Sequence, residues 1–237
     1  LTIAALGLSI WVYGQTEQSR MSWIGACAAS AAAIGIFAAP GGVNVHEVWL
    51  SLLICLGFLA RGVGWSHVSM VLLLVASLVR ELVAPVLLVL VAVSWTSGRK
   101  KEAAGWLGCL GLFAIFYVVH LVRVHETVTG PSLESPSWVA LGGWPFMVDA
   151  VRSSSILTVF PFWVAAVLVP IGLLGWVSRK GHLFNAVSAY LLAYAALFCV
   201  VGRSNNGYWG TFIGILILPG VVFGLGALRT LVSRRSD

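Results

Sequence analysis

Nine apolar runs take up most of this chain, at residues 1–14, 22–39, 48–60, 66–79, 82–96, 104–122, 155–177, 183–201 and 208–231. Soluble domains carry about 25% charged residues, spread so that every element keeps a wet face. Here only 9% of 237 residues are charged and 59% are hydrophobic. Such a chain lacks the polar surface to cover itself in water, so the bilayer is the solvent that fits. Disordered, collagen-like and disulfide-scaffold classes are excluded by the same runs and by 26 Gly that follow no period. Cys27, Cys55, Cys109 and Cys199 lie singly inside apolar runs, without metal-site spacing, and read as small hydrophobes.

The net charge of +6 is carried by residues between the runs, where it sets topology and meets anionic headgroups. Nucleic acid is therefore not an expected partner. Arg99, Lys100 and Lys101 form one basic cluster, Arg179 and Lys180 a second, and Arg234 and Arg235 a third. The positive-inside rule makes these three regions, and with them the C-terminus, cytoplasmic. The runs between them alternate consistently. Working backward, Arg61–Trp65 is a cytoplasmic turn, while His46, Glu47, Arg80 and Glu81 face outward. The expected fold is all-α, a single integral membrane domain over 1–237 with about eight or nine membrane helices. The chain opens on Leu1 in an apolar stretch, and a preceding N-terminal part is expected. Residues 123–154 form an outward loop broken by Pro131, Pro136 and Pro145, with a short interfacial helix near 143–153.

Runs 48–60, 66–79 and 82–96 hold only 13 to 15 residues, about 20–22 Å of helix against a hydrocarbon core of about 30 Å. Either these helices extend through their polar ends, or 66–96 is one bent element with Arg80-Glu81 at its middle. Both readings place ionisable groups at membrane depth, where protein or a wet cavity must satisfy them.

Arg80-Glu81 is the strongest chemical signal, because a charge at the centre of a membrane helix costs about 2.5–3.5 kcal/mol. Arg80 is expected to hold a phosphate, and Glu81 to orient it or the substrate. His46-Glu47 follows GGVNV at a helix start, where Glu47 also suits the helix dipole. In RSNNGYWG, Asn205 and Asn206 suit a turn or cap and Tyr208 and Trp209 an aromatic belt; the functional reading is that Arg203, Asn205, Asn206 and Tyr208 make a cationic, amide-rich lip of the kind a phosphorylated sugar needs. These polar clusters fall on one face, which predicts that His46, Glu47, Glu81 and Arg203 line one outward cavity beneath loop 123–154. Glu102 and Asp237 read as solvated partners of the cytoplasmic basic clusters. No HExxH or other zinc spacing is present.

The stretch VHEVW, followed by LVRELVAPVLLVLVAVSWTSGRKKEAAGWL, resembles bacterial membrane glycosyltransferases of the GT-C superfamily, and in particular its mannosyltransferase-like polytopic proteins. The ending GRSNNGYWGTFIGILILPGVVFGLGAL is similar to them as well. The resemblance covers roughly residues 22–235. It implies transfer of a sugar from a polyprenyl-phosphate donor on the outer side of the bacterial inner membrane, with the donor phosphate near Arg80. It also implies an acidic base in a first external loop. The first external connection here, 40–47, offers only Glu47. Either that base precedes Leu1, or Glu47 takes the role, or the chain is inactive alone. Glu47 and Glu81 are thus the candidate catalytic carboxylates, and His46, Arg80, Arg203, Asn205, Asn206 and Tyr208 the candidate binding residues. No soluble cofactor is required, and a divalent cation on the phosphate is compatible with the chemistry. The competing readings are a transporter or flippase, which calls for inverted repeats, and a non-catalytic membrane subunit packed through ACAASAAAIG at 26–35.

Overall fold

A computed structural model describes residues 1–16, 20–35, 45–127 and 137–233. The described residues form an all-helical bundle without a strand, apart from one isolated bridge between Val139 and Val201. In chain order the helices are α1 Thr2–Thr16, α2 Arg20–Gly35, α3 His46–Gly62, α4 Ser66–Val79, α5 Ala84–Thr96, α6 Lys100–Thr127, α7 Gly143–Ser153, α8 Phe162–Val177, α9 His182–Val200 and α10 Thr211–Ser233. Short 3-10 turns at Glu81–Val83, Ile156–Val159 and Ser204–Gly210 precede α5, α8 and α10.

Three helical stretches, Lys100–Thr127, His182–Val200 and Ser204–Ser233, are long and apolar enough to cross a membrane. They are used differently. Half of α9 and most of α10 are covered by neighbours, whereas α6 touches α4 and α5 along one side and leaves Ile115, Phe116, Val118, Val119, Leu121 and Val122 exposed. A helix that is apolar all round and uncovered finds its complement in lipid.

The run at 66–96 is two helices, not one bent rod. Arg80 is extended (φ −151°, ψ 124°) between α4 and the 3-10 turn, and Pro85 stands in the first turn of α5. Proline tolerates a helix start but lacks the N–H that a continuous helix would require. The break itself is at Arg80, and Pro85 falls in the first turn of the helix that resumes after it.

The tightest packing joins α8 to α10 through glycine. A Cβ on Gly175 would overlap the carbonyl oxygen of Gly220, so only hydrogen fits there. Next to this contact the Trp176 indole donates to the Leu216 carbonyl at 2.7 Å. Tyr190 donates to Phe212 O and Tyr194 to Leu82 O, each at 2.7 Å. Buried hydroxyls and indoles thus tie the helices to each other's backbones, which satisfies polar groups that an apolar interior would otherwise penalise.

The short helix expected near 143–153 is α7. Its Met147, Val148, Ala150 and Val151 are buried against the bundle, while Trp144 stays exposed. Of the loop expected at 123–154, residues 123–127 continue α6, and 128–136, including Pro131, Glu134 and Pro136, lie outside the described residues.

Candidate functional site

The site is built where α3 begins and α4 ends. Val45 is extended and α3 starts at His46, with Glu47 in the first turn, where a carboxylate favours the positive end of the helix dipole. Arg80 leaves α4 in an extended conformation, yet its N–H still reaches Ala76 O at 3.1 Å and its carbonyl accepts from Val83 N–H at 3.1 Å. That turn directs the guanidinium toward α3. Arg80 Nη1 lies 2.5 Å from Glu47 Oε1, with the Glu47 side chain 5% exposed and that of Arg80 27% exposed. Glu81, the neighbour in sequence, is exposed and joins no ion pair among the described residues.

Tyr208 closes the other side, with the guanidinium carbon of Arg80 6.0 Å from its ring centre. The 3-10 turn holds it there through one buried amide. Asn206 Oδ1 accepts from the Arg203 N–H at 2.9 Å, and its Nδ2 donates to Tyr208 Oη at 3.2 Å. Asn206 is therefore a positioning residue of this lip, whereas Asn205 is exposed.

Arg203 does a separate job. Its guanidinium lies 4.0 Å from the Trp138 ring centre, and its Nε donates to Ser137 O at 3.3 Å. Trp138 stacks in turn on Trp209, 5.5 Å between centres and 19° between planes. Gly202 N–H donates to Trp138 O, and Ala140 and Leu141 N–H donate to Val200 O. Residues 137–141 are thereby strapped across the end of α9.

Two cavities of about 340 Å³ each meet at Arg80. Val45, His46, Glu47, Arg80 and Tyr208 line the first. Arg80, Glu81, Tyr117, Trp138 and Trp209 line the second. A smaller space of about 120 Å³ shares Glu81 and Tyr117 with the second and runs along α6 past Phe113, Phe116 and His120. The single cavity expected from the sequence is thus two adjoining ones. His46 and Glu47 fall in one and Glu81 in the other. Arg203 lines neither and acts through Trp138. The separation has a plain cause: the Arg80 side chain crosses from α4 to α3 and stands between the two spaces.

Sequence reasoning missed the second charged cluster, at the opposite end of α3. Arg61, 2% exposed, donates through Nε to Glu102 Oε1 at 2.7 Å and through Nη1 to His182 O at 2.6 Å. Arg99 Nε lies 2.6 Å from Glu102 Oε2, and the Trp106 indole donates to Oε1 at 3.3 Å. The solvated role expected for Glu102 is therefore corrected. It is 8% exposed, buried between two guanidinium groups and an indole. The available signal was one acidic residue directly after Arg99-Lys100-Lys101, expected on the same face as the turn that begins at Arg61.

Among the described residues no group of three or more His, Cys, Asp or Glu could hold a metal ion. Asp237, Glu17 and Glu134 lie outside the described residues.

Comparison with known proteins returns no matching family model, no matching curated protein and no matching solved structure. The class that the fold and site define is, among the described residues, an all-helical protein with three helices long and apolar enough to cross a membrane and an arginine-centred pair of cavities.

Proposed function

We propose that this chain is an integral membrane glycosyltransferase of the GT-C type, with about eight or nine membrane helices and its C-terminus on the cytoplasmic side of the inner membrane. It would take a sugar from a polyprenyl-phosphate donor at an outward site around Arg80. The observation that carries this reading is the shared guanidinium. Arg80 stands between a polar cavity and an aromatic one whose extension follows the exposed apolar side of α6. A ligand with a phosphate, a polar ring and a long hydrocarbon tail matches that sequence of surroundings.

Depth fits as well. Tyr117 lines the second cavity, and Arg123 lies six residues further along α6, about 9 Å at 1.5 Å per residue. Arg80 therefore sits below the level at which α6 regains charge, within reach of a lipid phosphate drawn slightly into the bilayer. The buried indole N–H of Trp209 has no acceptor among the described residues. An oxygen-rich ligand would supply one.

The roles divide by pairing. Glu47 is engaged with Arg80 and serves to orient it. Glu81 carries no such partner among the described residues and is the carboxylate positioned to act as base. In an inverting transfer the acceptor hydroxyl attacks the anomeric carbon, and its proton passes to Glu81. The anomeric carbon–oxygen bond breaks, and the electron pair leaves on the phosphate, whose charge Arg80 stabilises. His46 and Tyr208 frame the polar cavity, and Asn206 positions Tyr208; Asn205, Asn206 and Arg203 lie outside the two lining sets.

The experiment is reconstitution of the full chain in proteoliposomes with a radiolabelled polyprenyl-phosphate sugar, reading the release of polyprenyl phosphate. Release that depends on Arg80 and Glu81 supports the proposal. Movement of the intact lipid-linked sugar between leaflets, without release, would replace it by the transporter reading.

A further inference from the structure

Three cations in a row lead into α6. Arg99 ends the turn after α5, Lys100 and Lys101 open the helix, and with Gly98 and Glu102 they line a cavity of about 460 Å³. Glu102 closes its inner wall, and the carboxylate is already held between Arg61 and Arg99. The Lys100 ammonium lies 3.3 Å from the ring centre of Trp95, whose indole is exposed. Lys101 is exposed and joins no ion pair among the described residues. Both helices that the turn joins are described throughout.

We propose that this end of α6 binds one anionic phospholipid, with its headgroup at the turn and an acyl chain along the helix. The two lysines and the surface beyond them support this separately. At about 3.6 residues per turn, Lys100 and Lys101 project about 100° apart. Exposed Ala104, Gly108 and Gly111 fall within the arc between them, and exposed Leu107 and Leu112 bound that arc. A Cβ on Gly108 or Gly111 would meet no atom within 4 Å, so the space over both is open. The two ammonium groups therefore stand on either side of a shallow channel in the helix surface. From Ala104 to Gly111 it runs about 10 Å, against about 15 Å for the hydrocarbon of one leaflet. Lysine binds phosphate as a point charge, and Trp95 holds one of the pair at the level where exposed indoles meet headgroups. A second copy of the chain, packed side by side on the same stripe, would bring Lys100 and Lys101 against their own counterparts. A phospholipid brings them the opposite charge. The site stands apart from Arg80 and does not rest on the glycosyltransferase reading.

The full chain, purified in detergent, is titrated with dioleoyl phosphatidylglycerol and, separately, with dioleoyl phosphatidylcholine, and bound lipid is counted by native mass spectrometry. The acyl chains are the same, so the difference reads the headgroup. One phosphatidylglycerol per chain is expected to bind about tenfold more tightly than phosphatidylcholine. Lys100→Gln combined with Lys101→Gln should abolish that preference. Gly108→Leu tests the channel without touching the cations. Its side chain enters open space and leucine favours a helix over glycine, so the fold is kept. It should weaken phosphatidylglycerol binding about fivefold or more by displacing the acyl chain. Lys180→Gln, at an exposed cation outside this turn, should stay within about twofold of the unmodified chain. The proposal is overturned if the two lipids bind equally, if Lys180→Gln loses as much as the double variant, or if Gly108→Leu binds normally. Displacement of the lipid by excess inorganic phosphate would overturn it by assigning the turn to the ion. A dimer that Gly108→Leu dissociates would overturn it by assigning the stripe to a second copy.

Discussion

Helix α3 carries a charged cluster at each end, and the two are built from the same parts to opposite effect. Glu47 and Arg61 are fourteen residues apart, about 21 Å along a helix. At the Arg61 end one carboxylate meets two guanidinium groups and an indole, one guanidinium also takes a backbone carbonyl, and Arg61 and Glu102 are buried. At the Glu47 end one carboxylate meets one guanidinium, which is about a quarter exposed and borders two cavities. The first arrangement uses most of its bonding capacity in joining α3, α6 and α9, with Arg61 Nη2 left over among the described residues. The second keeps capacity in reserve. Buried charge marks a structural joint when it is surrounded by partners, and a candidate site when it opens on a void.

The largest effect should come from the joint. Glu102→Ala leaves two guanidinium groups facing each other without a counter-charge, a loss of about 3–5 kcal/mol for a broken buried pair. Thermal unfolding in detergent should show a collapse of the folded fraction. If Glu102→Ala unfolds at the normal temperature, the two clusters do not differ in the way described.

The Arg80 end should respond less in stability and more in binding. Arg80→Ala strands a carboxylate that is only 5% exposed, at about 1–3 kcal/mol. The protein should still fold but lose polyprenyl-phosphate binding by at least a hundredfold, read by native mass spectrometry. Arg80→Lys should restore most of the stability and little of the binding, because an ammonium replaces the charge but not the fork. Full binding by Arg80→Lys would show that this end, too, is only a joint.

The legibility of these features follows the range over which each is determined. Apolar runs and Pro85 fix where helices form and where one resumes, since both act within a few residues. All nine runs contain described helix, and the helix expected near 143–153 is α7. Pairing is another matter. Arg80 lies beside Glu81 in sequence but bonds Glu47, and Arg61 bonds Glu102 across 41 positions. Neither choice is written in spacing, because it depends on how α3 packs against α4 and α6. Topology narrowed the choice to residues on one face and went no further. Arg203 shows the same limit: its face was predictable, whereas its stack on Trp138 required a strap from beyond α6.

That strap makes a smaller test. Trp138→Ala removes the stack with Trp209 and the seat of Arg203, which aromatic and cation–π contacts of this kind value at about 1 kcal/mol. Because Trp138 also lines the second cavity, binding of the lipid donor should weaken several-fold while the Arg80–Glu47 pair persists. Arg203→Ala should reproduce the weakening if Arg203 acts only through Trp138. Unchanged binding in both variants would remove the strap from the site.

The smallest effect should come from Glu126→Ala, and its size calibrates the rest. Arg123 and Glu126 form a pair three residues apart near the C-terminal end of α6, at 3.2 Å, with side chains 76% and 56% exposed. The pair has the same chemistry as the two clusters of α3, without burial. Solvent and salt screen such a contact, and its two long side chains lose freedom in making it, so it contributes about 0.2–0.5 kcal/mol. By the scaling for domains of this size, the unfolding temperature should fall by no more than about 1–2 °C. The difference should shrink further in high salt, which a matched pair of thermal scans would detect. A drop comparable to that of Arg80→Ala would mean that the end of α6 is covered in the folded protein. Exposure would then no longer separate this pair from the Arg80 cluster. The contrast between the two ends of α3 would have to rest on their partners alone.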